Sequence, residues 1–247
     1  MNTAVVIAGG SGLRMGLEVP KQFALVEGKP IVIFTLQAFQ DHPSIDSIGV
    51  VCVDGWHEIL RDYAEKFRIT KLAWIISGGS SAQESIYRGV KQLSGTCQPD
   101  DMIVIHDAIR PLVDAAVISD VLATCSEYGN GVTSMPYNEQ IFQVDEDDRR
   151  STIKYIPRDT LRRVSTPQAY RYEMLSTRYE EAFEKNVGFG PSSYTNTMMV
   201  DLGERLYFAA GSDKNIKLTT QDDLLLFQTY VACSLGGAHV PPQSTAD

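Results

Sequence analysis

Thr3-Ala4-Val5-Val6-Ile7-Ala8-Gly9-Gly10-Ser11-Gly12-Leu13-Arg14-Met15 stands at the head of a 247-residue chain. Its first six residues are apolar or β-branched and run straight into glycines. A strand buried on both faces, as in a parallel sheet, shows this continuous run and no in/out alternation. The glycines after it let the backbone turn sharply and turn its N–H groups toward a phosphate. In open α/β sheets, ligands sit at that carboxyl end of the strands.

Working outward, the same kind of run recurs at residues 47–53 (SIGVVCV), 72–76 (LAWII) and 102–105 (MIVI). Helical spacing fills the gaps, at 56–67, 81–93 and 114–128, the last opening on an acidic residue suited to a helix N-terminus. Residues 31–39 begin IVIF and suit either element; their place in the alternation tips them to helix. Strict alternation of strand and helix means right-handed βαβ units. The fold class expected is therefore α/β, a mostly parallel Rossmann-like sheet flanked by helices.

After Pro136 the rhythm breaks. Residues 143–163 (QVDEDDRRSTIKYIPRDTLRR) are too polar for a core helix, so about 137–164 is expected to leave the domain as an arm or insertion. Helical spacing returns at 172–185, a strand follows at 205–209, and a final helix starts near Thr220, with Asp223 three residues on as in a capping box. One domain over residues 1–236 and a flexible tail over 237–247 are the expected organisation.

The hydrophobic fraction of 43% and charged fraction of 21% are those of a globular protein. A net charge of −9 argues against a nucleic-acid or anionic-membrane surface, although a local cation cluster could still hold a phosphate. The four cysteines show no CxxC spacing, and Cys52 and Cys125 read as small buried hydrophobes. No charged n-region and apolar h-region open the chain, and no apolar run reaches membrane-spanning length. The expected address is the cytoplasm.

The glycine loop is not a Walker A motif, since no Gly-Lys-Ser/Thr follows at the required spacing. Nor is it a dinucleotide fingerprint: Met15 takes the third glycine position and the acidic candidate, Asp54, comes too late. What remains is a phosphate cradle with two cations downstream, Arg14 and Lys21. Phosphoryl and nucleotidyl transfer require fixed positive groups against the charge on the phosphate oxygens. Asp107, directly after the strand MIVI, stands where a hard cation such as Mg²⁺ would be held, although alone it could simply cap the next segment.

Five motifs together resemble the polyol-phosphate cytidylyltransferases, which include the 2-C-methyl-D-erythritol 4-phosphate and ribitol-5-phosphate enzymes. They are AGGSGLRM with Pro20-Lys21-Gln22; Gly78-Gly79 with Ser85; His106-Asp107-Ala108-Ile109-Arg110-Pro111; Pro157-Arg158 with Ser165-Thr166-Pro167-Gln168; and Asn215-Ile216-Lys217-Leu218-Thr219-Thr220 with Asp223-Leu224. The likeness runs from about residue 4 to 230.

The resemblance implies transfer of CMP from CTP to a polyol phosphate with release of pyrophosphate. Arg14, Lys21 and Lys217 would be catalytic. Ala8, Gly9, Gly10, Gly12, Gly79, Ser80, Ser85 and Asp107 would hold the nucleotide, Asp107 also taking Mg²⁺. Arg110, Arg158, Thr166 and Thr195 would hold the acceptor, with Arg158 reaching across a homodimer formed through the arm; His106 reads as a structural hydrogen bonder. The chain departs from the pattern at Ser80 and Ala82, at Asn138-Glu139-Gln140, and at Asn196 after Thr195. The last two concern the acceptor. With Trp56, which resembles the ribitol-phosphate branch and could equally be an ordinary core aromatic, they favour ribitol 5-phosphate or a similar pentitol phosphate over methylerythritol phosphate. Two other readings stay open: a nucleotide-binding regulator without catalysis, and a sugar 1-phosphate enzyme using GTP or UTP.

Overall fold

A computed structural model describes residues 1–10, 19–190 and 193–235. Gly12 and Arg14 of the glycine loop, and the 237–247 tail, lie outside the described residues.

Among these residues the main sheet has seven strands. The first βαβ unit is β1 (Asn2–Ala8), α1 (Ile31–Asp41) and β4 (Ser47–Cys52), with a small hairpin of β2 (Leu25–Val26) and β3 (Lys29–Pro30) before the helix. Then come α2 (His57–Lys66), β5 (Leu72–Ser77), α3 (Ala82–Gln92), β6 (Met102–Asp107) and α4 (Ala115–Tyr128). The helix starts follow from local chemistry: Ser81 and Asp114 accept the Glu84 and Val117 backbone N–H groups as N-caps. Residues 31–39 are indeed helical.

The second half runs β7 (Asn130–Pro136), β8 (Ile141–Gln143), β9 (Lys154–Ile156), β10 (Arg162–Arg171), α5 (Tyr172–Lys185), α6 (Thr195–Asp201), β11 (Phe208–Ala210) and α7 (Gln221–Leu235). Strand order is β11-β7-β10-β6-β1-β4-β5, parallel except for β10, which runs antiparallel between β6 and β7. Part of the polar stretch is therefore sheet: β10 begins at Arg162, inside the expected arm. The rest of the arm holds β8 and β9, an antiparallel pair separate from the main sheet.

From β1 the chain moves to β4 and β5 on one side, then returns to β6 on the other. The β1/β6 junction is thus the topological switch point, where ligand crevices open in such sheets. Alternate β1 residues serve two cores. Ala4, Val6 and Ala8 pack with α1, α2 and α4; Val5 packs with α3, α5 and α6. A third cluster seats Phe227 and Val231 of α7 against Ile31, Ile109 and Leu218. No helix among the described residues is long and apolar enough to cross a membrane. All four cysteines are free, with Cys52, Cys97 and Cys125 buried.

Candidate active site

At the switch point Ile7 and Asp107 are register partners across β1 and β6, and two loops border the cleft there. The first is Gly9-Gly10. Its curve is held from below by buried Gln22, whose Nε2 donates to the carbonyls of Ala8 (2.7 Å) and Gly10 (2.9 Å). Gln22 lies in a short 3-10 turn, Lys21–Phe23, so the bonds that shape the loop also seat Lys21 beside it. Trp56 stacks on Phe23 of that turn at 4.5 Å, which makes Trp56 a brace under the cation.

The second loop, 78–80, packs onto the first. A methyl at Gly9 would stand 3.3 Å from Ser85 Oγ, and one at Gly78 only 3.0 Å from the same atom. Ser85 Oγ accepts the Gly79 N–H (2.9 Å) and donates to the Ser81 carbonyl (2.8 Å). Ala8, Gly9, Gly10, Lys21, Gly79, Ser80, Ser85, Asp107 and Lys217 all border one cavity of about 490 Å³.

Asp107 stands at the wall between that cavity and a second of about 440 Å³, which Arg110, Thr166, Thr195 and Lys217 also line. Lys217 Nζ reaches Asp107 Oδ1 at 3.2 Å and Arg110 Nε reaches Oδ2 at 3.0 Å. Burial alone would raise the Asp107 carboxyl, but the charges of Lys217 and Arg110 outweigh it and hold it at about 2. Neighbouring His106 is fully buried. Its Nε2 donates to the Arg110 carbonyl (3.2 Å), and burial pushes it down to about 4, so it stays neutral and structural.

Lys217 lies on an irregular segment after β11, not at a strand end. What aims it at Asp107 is a backbone bond from Leu218 N–H to the Ile109 carbonyl (2.9 Å). Asn215, in the same segment, donates to the Thr166 carbonyl (2.7 Å) and its own carbonyl accepts Arg110 Nη1 (2.8 Å). Thr166 projects from a register shift in β10 between Val164 and Gln168, and its Oγ1 accepts the Asp107 N–H at 3.2 Å. Thr195 is buried, its hydroxyl 2.7 Å from the Tyr179 hydroxyl, beside Asn196 on the wall of the second cavity.

Arg158 is not brought into this cleft. It sits on the exposed arm, donating to the Asn138 carbonyl (3.0 Å) beside a separate cavity of about 430 Å³. Gln22, Asn215 and Glu84 were not expected as site-shaping residues. The first two stand inside motifs already quoted, but their work is on backbone carbonyls, which no motif spells out.

Among the described residues no group of three or more His, Cys, Asp or Glu could hold a metal alone. Mg²⁺ commonly takes one or two carboxylates and completes its shell with water and substrate phosphates. A single carboxylate, 22% exposed on the wall of both cavities, fits that mode and not a protein cage.

Over residues 2–233 the sequence matches the IspD family, 2-C-methyl-D-erythritol 4-phosphate cytidylyltransferase. The chain belongs to the IspD family. Its relatives divide by acceptor. A ribitol-5-phosphate cytidylyltransferase of Lacticaseibacillus paracasei is 59% identical over 94% of this chain and 98% of its own length. A 2-C-methyl-D-erythritol 4-phosphate cytidylyltransferase of Clostridium botulinum is 32% identical over 91% and 95%. Among solved structures, the 4-diphosphocytidyl-2C-methyl-D-erythritol synthase of Anaerococcus prevotii superposes with a TM-score of 0.77 at 21% identity, over 94% of this chain and 98% of that one. That IspD-family likeness supports the fold. As an IspD-family member the chain is a nucleotidyltransferase of the cytidylyltransferase class.

Proposed function

We propose that the protein transfers CMP from CTP to ribitol 5-phosphate or a closely similar pentitol phosphate, releasing pyrophosphate. The observation that carries the reading is the double cavity divided by Asp107, with Lys21 on the nucleotide side and Lys217 bordering both. The 59% identity to a ribitol-5-phosphate cytidylyltransferase supports the choice of acceptor.

In this reading the acceptor's phosphate oxygen attacks the α-phosphorus of CTP in line and pyrophosphate leaves. The nucleophile is already anionic near neutral pH, so no general base is needed, in keeping with a His106 that is buried and neutral. Lys21, Lys217 and Arg14 offset charge on the phosphate oxygens, a positioning and electrostatic task. The Gly9-Gly10 and 78–80 loops hold the nucleotide. Arg110, Thr166 and Thr195 orient the acceptor, and Arg158 completes the site of a homodimer partner. Asp107 would hold Mg²⁺, which would supply neutralising charge to the phosphates. The reading places the protein in the cytoplasm.

The test is pyrophosphate release with each of the four NTPs and with ribitol 5-phosphate, other pentitol phosphates and methylerythritol 4-phosphate as acceptors, with and without Mg²⁺. Release with CTP and a pentitol phosphate, abolished by chelation, is the expected result. Turnover confined to methylerythritol 4-phosphate would move the protein to the other branch of its relatives. No release with any pair would leave a nucleotide-binding regulator.

A further inference from the structure

Every hydrogen-bond donor of the 79–80 loop segment is already used inside the protein. Glu84 Oε2 accepts both the Ser80 N–H (2.7 Å) and the Ser80 hydroxyl (2.6 Å), and Ser85 Oγ accepts the Gly79 N–H. Arg88, one turn further along α3, joins Glu84 Oε1 through Nη2 (2.7 Å) and ties down the Gly78 carbonyl through Nη1 (2.6 Å). Gly79 lies directly on the Glu84 stem; a methyl there would meet three Glu84 carbons at 2.5 to 2.6 Å. The Gly79 and Ser80 carbonyls, in contrast, accept nothing among the described residues. Gly79 and Ser80 thus border the nucleotide cavity with their own donors already taken.

That polarity discriminates chemically. A pyrimidine with a 4-amino group presents two N–H donors at its exocyclic edge; one with a 4-oxo group presents only lone pairs. A segment whose donors are all occupied has none left for a 4-oxo group. We propose that the Glu84–Arg88 pair is a positioning device that fixes the hydrogen-bond polarity of this loop and so sets selection of CTP over UTP. The inference rests on the nucleotide reading of the cavity given above and adds to it the residues responsible. The two side chains are 27% and 46% exposed. An exposed i,i+4 ion pair adds little to stability, so its loss reads in recognition and not in folding. The chain carries Ser80 and Ala82 at the two positions where the family pattern departs, and Glu84 reaches back to Ser80 from the next turn.

The experiment compares wild type with Glu84→Ala, Glu84→Gln and Arg88→Ala in pyrophosphate release, using CTP and UTP at saturating ribitol 5-phosphate. Glu84→Ala frees the Ser80 donors, and the ratio of kcat/KM for CTP over UTP falls by about tenfold or more. The change sits in the nucleotide KM, while the acceptor KM stays within about twofold, since the acceptor wall is untouched. Glu84→Gln, which keeps one accepting oxygen, falls between; Arg88→Ala, which leaves the Ser80 bonds in place, lowers the ratio less. Should Glu84→Ala melt below the assay temperature, Glu84→Gln reports the same ratio. Equal losses with both nucleotides, or an unchanged ratio, overturn the proposal and leave a merely structural pair. A wild type that turns over CTP and UTP alike also overturns it while nucleotidyl transfer stands. A wild type that releases no pyrophosphate defeats the functional reading itself.

Discussion

Asp107 keeps its negative charge between two cations, an arrangement suited to work by charge and not by proton transfer. Lys217 and Arg110 are fixed by backbone bonds at Leu218 and Asn215, so they meet a ligand already aimed. Preorganised charge of this kind contributes most where charge develops in the transition state. Lys217→Ala and Lys21→Ala are each expected to lower kcat about a hundredfold, the equivalent of ~3 kcal/mol of barrier, with a smaller change in the KM for CTP. Steady-state pyrophosphate release measures both parameters; a variant with wild-type turnover would remove that lysine from the chemistry. These two lysines could be singled out because each stands in a short motif that resembles the family's, Pro20-Lys21-Gln22 and Asn215-Ile216-Lys217. Gln22 was legible only as a letter in Pro20-Lys21-Gln22, since holding the Ala8 and Gly10 carbonyls is a relation between two loops.

At the scale of elements, the strands and helices that read correctly are those whose periodicity is set by burial on two faces. β10 escaped because its sequence, Arg162 to Gln168, is polar and contains Pro167, and a proline normally argues against an inner strand. The register shift between Val164 and Gln168 interrupts pairing just there, and the same irregularity carries Thr166 to Asp107. The edge of the sheet is set by a size match instead. Gly49 of β4 pairs with Trp74 of β5, and a methyl on Gly49 would fall 2.0 Å from the indole ring. Gly49→Ala is expected to destabilise the protein by about 1–3 kcal/mol through overpacking. Adding Trp74→Ala should remove most of the extra cost of the Gly49 substitution. Urea unfolding of both single variants and the double variant gives the coupling; additive costs would show that the ring does not press on Gly49.

At the scale of the whole molecule, the arm is the part that a single chain leaves unexplained. β8 and β9 expose Phe142 (55%) and Tyr155 (70%), with Ile153 (87%) just before β9, and Arg158 stands on the same arm. Apolar side chains so displayed, next to a cation absent from its own cleft, suit an isologous contact between two copies. If Arg158 serves the partner's site, Arg158→Ala and Lys217→Ala chains are each inactive as homodimers but complement when mixed. Half of a randomly mixed population is heterodimer with one intact site of two, so about a quarter of wild-type activity returns. Refolding the two variants together and assaying pyrophosphate release measures it. Mixtures no more active than the parents would place Arg158 in its own chain's site or in none.

Taken by itself, the order of residues determined the alternation of strand and helix, because the burial of each strand on both faces is written in local hydrophobic runs. It also pointed to the reaction class, through five motifs that resemble those of the polyol-phosphate cytidylyltransferases. Tertiary structure alone decided how the pieces divide the work: that Asp107 parts two cavities, that Glu84 and Ser85 consume the loop's donors, that Arg158 stays outside. Those outcomes depend on which strands become neighbours, since a carboxylate and a lysine 110 positions apart acquire a common charge environment only when the sheet brings them within hydrogen-bond distance.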